Sequence, residues 1–153
     1  MRQGLIFTVS GPSGGGKTSL IQALLAKTND LRVGVSHTTR AARPGEEDGA
    51  HYHFVDEATY LTMRKNDEFA EHATVFDYYY GTSRKELDDS ISGGVDVLLD
   101  IDWQGAAQVK AVYPERTVGI FLLPPSQHTL KQRLLLRNQD DVTVIEKRME
   151  KAK

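Results

Sequence analysis

The chain has 153 residues, of which 39% are hydrophobic and 26% charged, proportions that suit one globular domain with a substantial core. Its formal net charge of −2 gives no reason to expect non-specific binding to nucleic acid or to a membrane surface. Cysteine is absent, which removes disulfides and thiolate metal sites, and no apolar run approaches membrane-spanning length. The apolar stretch after Met1-Arg2-Gln3 is too short for a secretory signal, so the expectation is a cytoplasmic protein.

In chain order, Gly4–Val9 is an apolar run of the kind a buried parallel strand shows, and Ser19–Lys27 reads as a helix with Leu20, Ala23 and Leu24 on its apolar face. Arg32–Ser36 predicts a short second strand. His37–Ala50 is polar and rich in breakers, and His51–Val55 alternates like a strand. Asp56 is a candidate N-cap for a helix carrying Tyr60, Leu61 and Met63. Phe69–Phe76 alternates again, Tyr78-Tyr79-Tyr80-Gly81 reads as a turn, and a helix near Ser83–Ile91 ends at Gly93-Gly94. Val95–Ile101 and Thr117–Leu123 are core strands separated by a helix over Gly105–Val112 that stops at Pro114. Ser126 caps a helix reaching about Arg137, and Val142–Lys153 is helical.

Apolar strands alternating with helices predict an α/β fold with a parallel sheet covered on both faces. The weaker apolar runs between Ser36 and Ser90 predict an inserted mixed subdomain. The expected division is 1–35 and 91–130 for the core, 36–90 for the insertion and 131–153 for a helical lid and the start of the following helix. Four core strands make a thin sheet, and the chain stops inside a helix without Gly or Pro, so a further segment is expected beyond Lys153.

Between the first strand and the first helix lies SGPSGGGKTSL, in which Gly11, Gly16, Lys17 and Thr18 fit G-x-x-x-x-G-K-[ST], the phosphate-binding loop. Glycines let successive backbone N–H groups turn inward around phosphate oxygens, and the helix N-terminus adds partial positive charge. Gly11, Pro12, Ser13, Gly14, Gly15, Gly16, Lys17, Thr18 and Ser19 are therefore the candidate ATP-binding residues, with Lys17 on the terminal phosphates and Thr18 on Mg²⁺. Asp100 and Asp102 emerge at the carboxyl end of the Val95–Ile101 strand, where ligands of open α/β sheets sit. One of them suits Mg²⁺, directly or through water, and the alternative is a cap on the following helix.

Arg40 and Arg43 with Tyr52 and Tyr80 make a candidate second anion pocket, two guanidinium forks and two phenols, although arginines in a polar stretch are also common on surfaces. Glu71 lies on an alternating strand and can face either way, and Ser36 and Thr82 are equally open. Arg133 and Arg137 share a helical face, which is otherwise read as a solvated one, and Arg148 follows on the last helix. His51 and His53 share a strand face without a convincing third metal ligand.

Taken together, GPSGGGKTSL, VSHTTRAARPGEEDGAHYHFV, EHATVFDYYYGTSR, LLDIDWQGA and LLPPS resemble the guanylate kinase family across essentially the whole chain. The resemblance implies a nucleoside monophosphate kinase that transfers the ATP γ-phosphoryl group to GMP with Mg²⁺. It implies that Ser36, Glu71 and Thr82 read guanine and that Arg40, Arg43, Tyr52 and Tyr80 bind the GMP phosphate. Asp100 and Asp102 would lie near acceptor and metal, and Arg133, Arg137 and Arg148 would be lid arginines closing on the triphosphate. Catalytic weight would rest on Lys17 and these five arginines. Family members usually continue several dozen residues further. The intact loop argues against a scaffold module of this fold, and Ser36, Glu71 and Thr82 together argue against a sugar phosphate acceptor.

Overall fold

A computed structural model describes residues 2–136 and 142–151. The first sheet comprises β1 (Ile6–Ser10), β2 (Leu31–Val33), β7 (Asp96–Asp100) and β8 (Thr117–Phe121), all parallel, in the order β2-β7-β1-β8. Strand β1 is buried between β7 and β8, so the backbone running into the glycine loop starts from the middle of the sheet. Register sets Val9 opposite Asp100 and Ser10 opposite Phe121. Asp100 therefore leaves its strand level with the start of the loop.

Helices cover this sheet. α1 (Lys17–Lys27) follows β1, α3 (Arg84–Ser92) precedes β7, and α4 (Trp103–Val112) joins β7 to β8. One core layer gathers Ile6, Leu87, Val97, Leu99 and Val109 with Ala70, and the other gathers Val9, Ile21 and Leu98. Burying a side chain of this size stabilises by roughly 1.5–3 kcal/mol, so these layers hold the loop's two flanks in place. Beyond β8, α5 (Gln127–Leu136) and α6 (Val142–Lys151) pack on each other through Leu130, Leu134 and Ile145. Ser126 accepts the Thr129 N–H at 3.0 Å, as its position before α5 predicts.

Between β2 and β7 the chain builds a second, mixed sheet with α2 (Glu57–Lys65) against it. Its strands are β3 (His37–Thr38), β4 (His53–Phe54), β5 (Phe69–Val75) and β6 (Tyr78–Ser83), in the order β4-β3-β6-β5. Asp56 caps α2 by accepting the Thr59 N–H at 2.7 Å. Tyr60, on α2, stacks on Phe69 and Tyr79 and donates its hydroxyl to the Tyr80 carbonyl at 2.7 Å.

Several boundaries differ from the sequence expectation. Tyr78–Gly81 is strand, not turn: the reversal lies at Phe76 and Asp77, both in the left-handed region at φ 48° and 67°. A two-residue hairpin turn of that hand usually carries Asn-Gly, so Phe-Asp sends no turn signal, while three tyrosines favour strand. His37-Thr38 pairs as β3 inside a stretch that reads as loop. Helix α1 begins at Lys17 and buries Ile21, whereas Ala23 is exposed. Among the described residues no helix is long and apolar enough to cross a membrane.

Candidate functional site

The loop between β1 and α1 turns through Gly11, Gly14 and Gly16 at φ 143°, 85° and 102°. At Gly11 a Cβ would stand 2.4 Å from the Leu122 carbonyl oxygen, so the backbone just past β8 presses on the loop. Gly11→Ala should therefore add about 2 kcal/mol of strain and lower the thermal midpoint by roughly 4–8 °C. An unchanged midpoint would show that the loop is not wedged there. Lys17 lies across the loop and donates its Nζ to the Gly11 carbonyl at 2.8 Å and the Pro12 carbonyl at 3.4 Å.

Asp100 faces the same space from β7. Desolvation raises its carboxyl from the ordinary value and the Lys17 charge opposes that rise, so the two groups feel one another across the loop mouth. Asp102, two residues on, caps α4: its Oδ1 accepts the Gly105 N–H at 2.7 Å. The capping alternative thus holds for one oxygen of Asp102, and Asp100 is the carboxylate left facing the loop. Opposite the sheet, Arg148 on α6 donates to the Ser13 hydroxyl at 2.9 Å. Arg133 on α5 lines a pocket of about 480 Å³ with Gly14, Gly16, Ser19 and Leu136. Arg137 lies outside the described residues.

The second sheet and its loops gather the remaining candidates into two groups. In the first, the Thr82 hydroxyl donates to Glu71 Oε1 at 2.7 Å, and the Ser36 hydroxyl lies 3.5 Å from that of Thr82. Glu71 is 5% exposed. Burial pushes its carboxyl up, the Thr82 hydrogen bond pulls it down, and the Asp102 charge adds a smaller upward push. The ambiguity over which way Glu71 faces ends at a bulge. Pairing shifts between Phe69 and Glu71, so Ala70 points into the main core while the next carboxylate turns towards Thr82 and Gly105.

The second group surrounds Arg40. Its guanidinium is paired at 2.9 Å, through Nη1 and Nη2, with both oxygens of Glu46, and its Cζ sits 5.4 Å from the Tyr52 ring centre and 5.9 Å from that of Phe54. The nearby Tyr80 phenol adds to the influences that keep this guanidinium charged. Tyr52 and Tyr80 stand edge to face at 6.0 Å. The Tyr52 hydroxyl is raised chiefly by burial and also senses Asp100, which links this group to the loop. Arg43 is exposed at its side chain, and its backbone N–H donates to Glu46 Oε2 at 2.8 Å.

Glu46 is the residue that sequence reasoning missed. Hydrogen bonds from Arg40 and from the Arg43 N–H hold its carboxyl down at about 2. The available signal was the turn Arg43-Pro44-Gly45-Glu46, whose Glu46 N–H returns to the Arg43 carbonyl at 3.0 Å. Such a turn folds the acid back onto both arginines. Of the histidines set aside, His51 Nδ1 accepts the Glu47 N–H at 2.9 Å and His53 pairs with Glu86 at 2.5 Å.

Comparison with known proteins gives a consistent result. The family model described as guanylate kinase matches residues 3–153. A guanylate kinase of Photorhabdus laumondii is 56% identical over 155 residues, covering 99% of this chain and 74% of its own. One from Saccharophagus degradans is 51% identical over 150 residues, covering 98% and 73%. The crystal structure of guanylate kinase from Anaplasma phagocytophilum superposes with a TM-score of 0.69 at 39% identity, over 88% of this chain and 68% of that one.

Proposed function

The chain belongs to the guanylate kinase family, and from that premise we infer that it is an ATP:GMP phosphotransferase, converting ATP and GMP to ADP and GDP. The observation that carries this reading is a phosphate-binding loop faced by Asp100, with a buried carboxylate and a box of arginine and tyrosines on the second sheet close enough for Tyr52 to sense Asp100 and Glu71 to sense Asp102.

The loop amides of Gly11 to Ser19 would cradle the ATP phosphates, with Lys17 leaving its loop carbonyls to meet the β and γ groups. Glu71, Thr82 and Ser36 would read the base. Guanine offers N1–H and an exocyclic 2-amino group, two donors that suit a carboxylate, and an O6 acceptor that suits a hydroxyl. The second oxygen of Asp102 would serve the same edge. Arg40, Arg43, Tyr52 and Tyr80 would hold the GMP phosphate. Arg40 is already fixed by Glu46 and by ring faces, so little of its rotamer freedom remains to be lost on binding. Arg133, Arg137 and Arg148 would neutralise charge on the triphosphate from the helical side.

Thr18 and Asp100 are hard oxygen donors, and no group of three or more His, Asp or Glu able to hold a metal occurs among the described residues. This sparse set fits Mg²⁺, which is commonly held by one or two protein oxygens plus substrate phosphates and water. When bound it would neutralise charge on the β and γ oxygens. The acceptor is a phosphate oxygen, ionised at neutral pH because its second pKa is about 6, so no general base is required. That oxygen bonds to the γ phosphorus as the bond to the ADP oxygen breaks. The chain's own contribution is alignment, charge compensation and exclusion of the water that would otherwise take the phosphoryl group.

The reading is tested by coupled measurement of ADP release from ATP with GMP, AMP or a sugar phosphate as acceptor. Turnover with GMP well above both others is expected, and turnover with none would return the chain to a binding module. Chelating divalent cations should lower the GMP rate by about 10³-fold or more, restored by added Mg²⁺. A rate that persists under chelator would remove the cation from the mechanism.

A further inference from the structure

Strand β5 is the edge of the second sheet, with β6 on its inner side. An edge strand leaves every second residue's N–H and C=O pointing away from its neighbour. At His72, the residue after Glu71, both groups are taken by one side chain from a different layer of the molecule. The His72 N–H donates to Gln108 Oε1 at 3.0 Å, and Gln108 Nε2 donates to the His72 carbonyl at 3.2 Å. Gln108 lies on α4, whose neighbouring Val109 is buried in the main core and whose Asp102 cap fixes the first turn.

We propose that Gln108 is a positioning residue for base selection, clamping the β5 backbone so that the Glu71 carboxylate is held against the face of α4. The residue before Glu71 is anchored by the Ala70 methyl in the core, and the residue after it is anchored by Gln108. Between those fixed points the carboxylate meets Gly105, three residues before Gln108 on the same helical face. A Cβ on Gly105 would stand 3.0 Å from Glu71 Oε2, so the helix is close enough to define one side of the carboxylate's space. An amide suits this task because it supplies one donor and one acceptor at the spacing of a backbone partner, and it remains neutral beside Glu71 and Asp102.

This inference rests on Glu71 reading the base. The discriminating substrate is therefore IMP, whose base keeps N1–H and O6 but lacks the 2-amino donor. A carboxylate held in one place rewards the 2-amino group, and a loosened one does so less. In Gln108→Met, which keeps length and loses both hydrogen bonds, the ratio of kcat/KM for GMP over IMP should fall about 10-fold, with KM for ATP unchanged. The same substitution added to Glu71→Gln should change the ratio no further. The His72 amide, measured by hydrogen exchange, should be protected in the unaltered protein and lose protection in Gln108→Met while Val97 and Leu98 keep theirs.

A well-folded Gln108→Met with an unaltered GMP:IMP ratio, alongside a Glu71→Gln that lowers it, overturns the positioning role and leaves the Glu71 reading intact. If Glu71→Gln itself leaves the ratio unaltered, both readings fall. If Gln108→Met does not fold, Gln108→Ala and the exchange rate at His72 decide, and an unprotected His72 amide in the unaltered protein overturns the clamp.

Discussion

Replacing Lys17 by Ala should lower turnover of ATP and GMP by about 10³-fold, equivalent to roughly 4 kcal/mol of transition-state stabilisation. The magnitude follows from where the ammonium lies. It is tethered to the Gly11 and Pro12 carbonyls at the mouth of the loop and near enough to Asp100 to oppose, in part, the upward push of that carboxylate's desolvation. Charge that grows on the bridging and γ oxygens during transfer would meet it at close range beside the partly desolvated Asp100, where electrostatic interactions exceed their value in water. The structural consequence should be small. The Pro12 carbonyl keeps the Gly15 N–H as a partner at 2.9 Å, and Lys17 opens α1 without packing into a core layer. GMP affinity by calorimetry and the far-ultraviolet spectrum should stay near those of the unaltered protein. Activity within a few-fold of normal would remove Lys17 from the phosphoryl-transfer step.

The second large effect is expected at Glu71. Glu71→Gln should reduce the preference for GMP over AMP by about 10²–10³-fold, combining a loss with GMP and a gain with AMP. In the unaltered protein the carboxylate has no donor of its own to offer. Adenine presents an acceptor at N1 and only C–H at C2, so binding it would leave a buried anion facing a lone pair. Guanine supplies two donors to the same atoms. Glutamine keeps the shape and one acceptor but turns an N–H towards guanine's donors, and that N–H suits adenine N1. The Thr82 hydroxyl, which donates to Oε1 at 2.7 Å, should orient the amide oxygen inward and accentuate the mismatch. Competition kinetics with both nucleotides read this directly, and an unaltered ratio would remove Glu71 from base recognition.

Length of apolar runs and glycine spacing determined much of this protein before any folding in space is considered. The GPSGGGKTS segment between an apolar strand and a helix specifies the phosphate loop because its chemistry is local: backbone amides, one lysine and a helix end, all within nine residues. The caps at Asp56 and Ser126 and the Gly93 helix end were legible for the same reason, since each rests on neighbours a few residues apart. The parallel sheet was legible as a class because its apolar strands alternate with helices. Pairing in space decided the rest. The Phe76-Asp77 reversal is imposed by the β5–β6 ladder against its own residue preference, and β3 is too short to register as a pattern. Which way Glu71 faces depends on a bulge that period-two alternation does not encode. Glu46 was signalled only by its turn, which does not say that the acid would grip a guanidinium, and Gln108 was silent because its partner is a backbone peptide brought to it by helix docking. A side chain that acts through a contact 36 residues away leaves no spacing to read, and only the packing of α4 on β5 creates it.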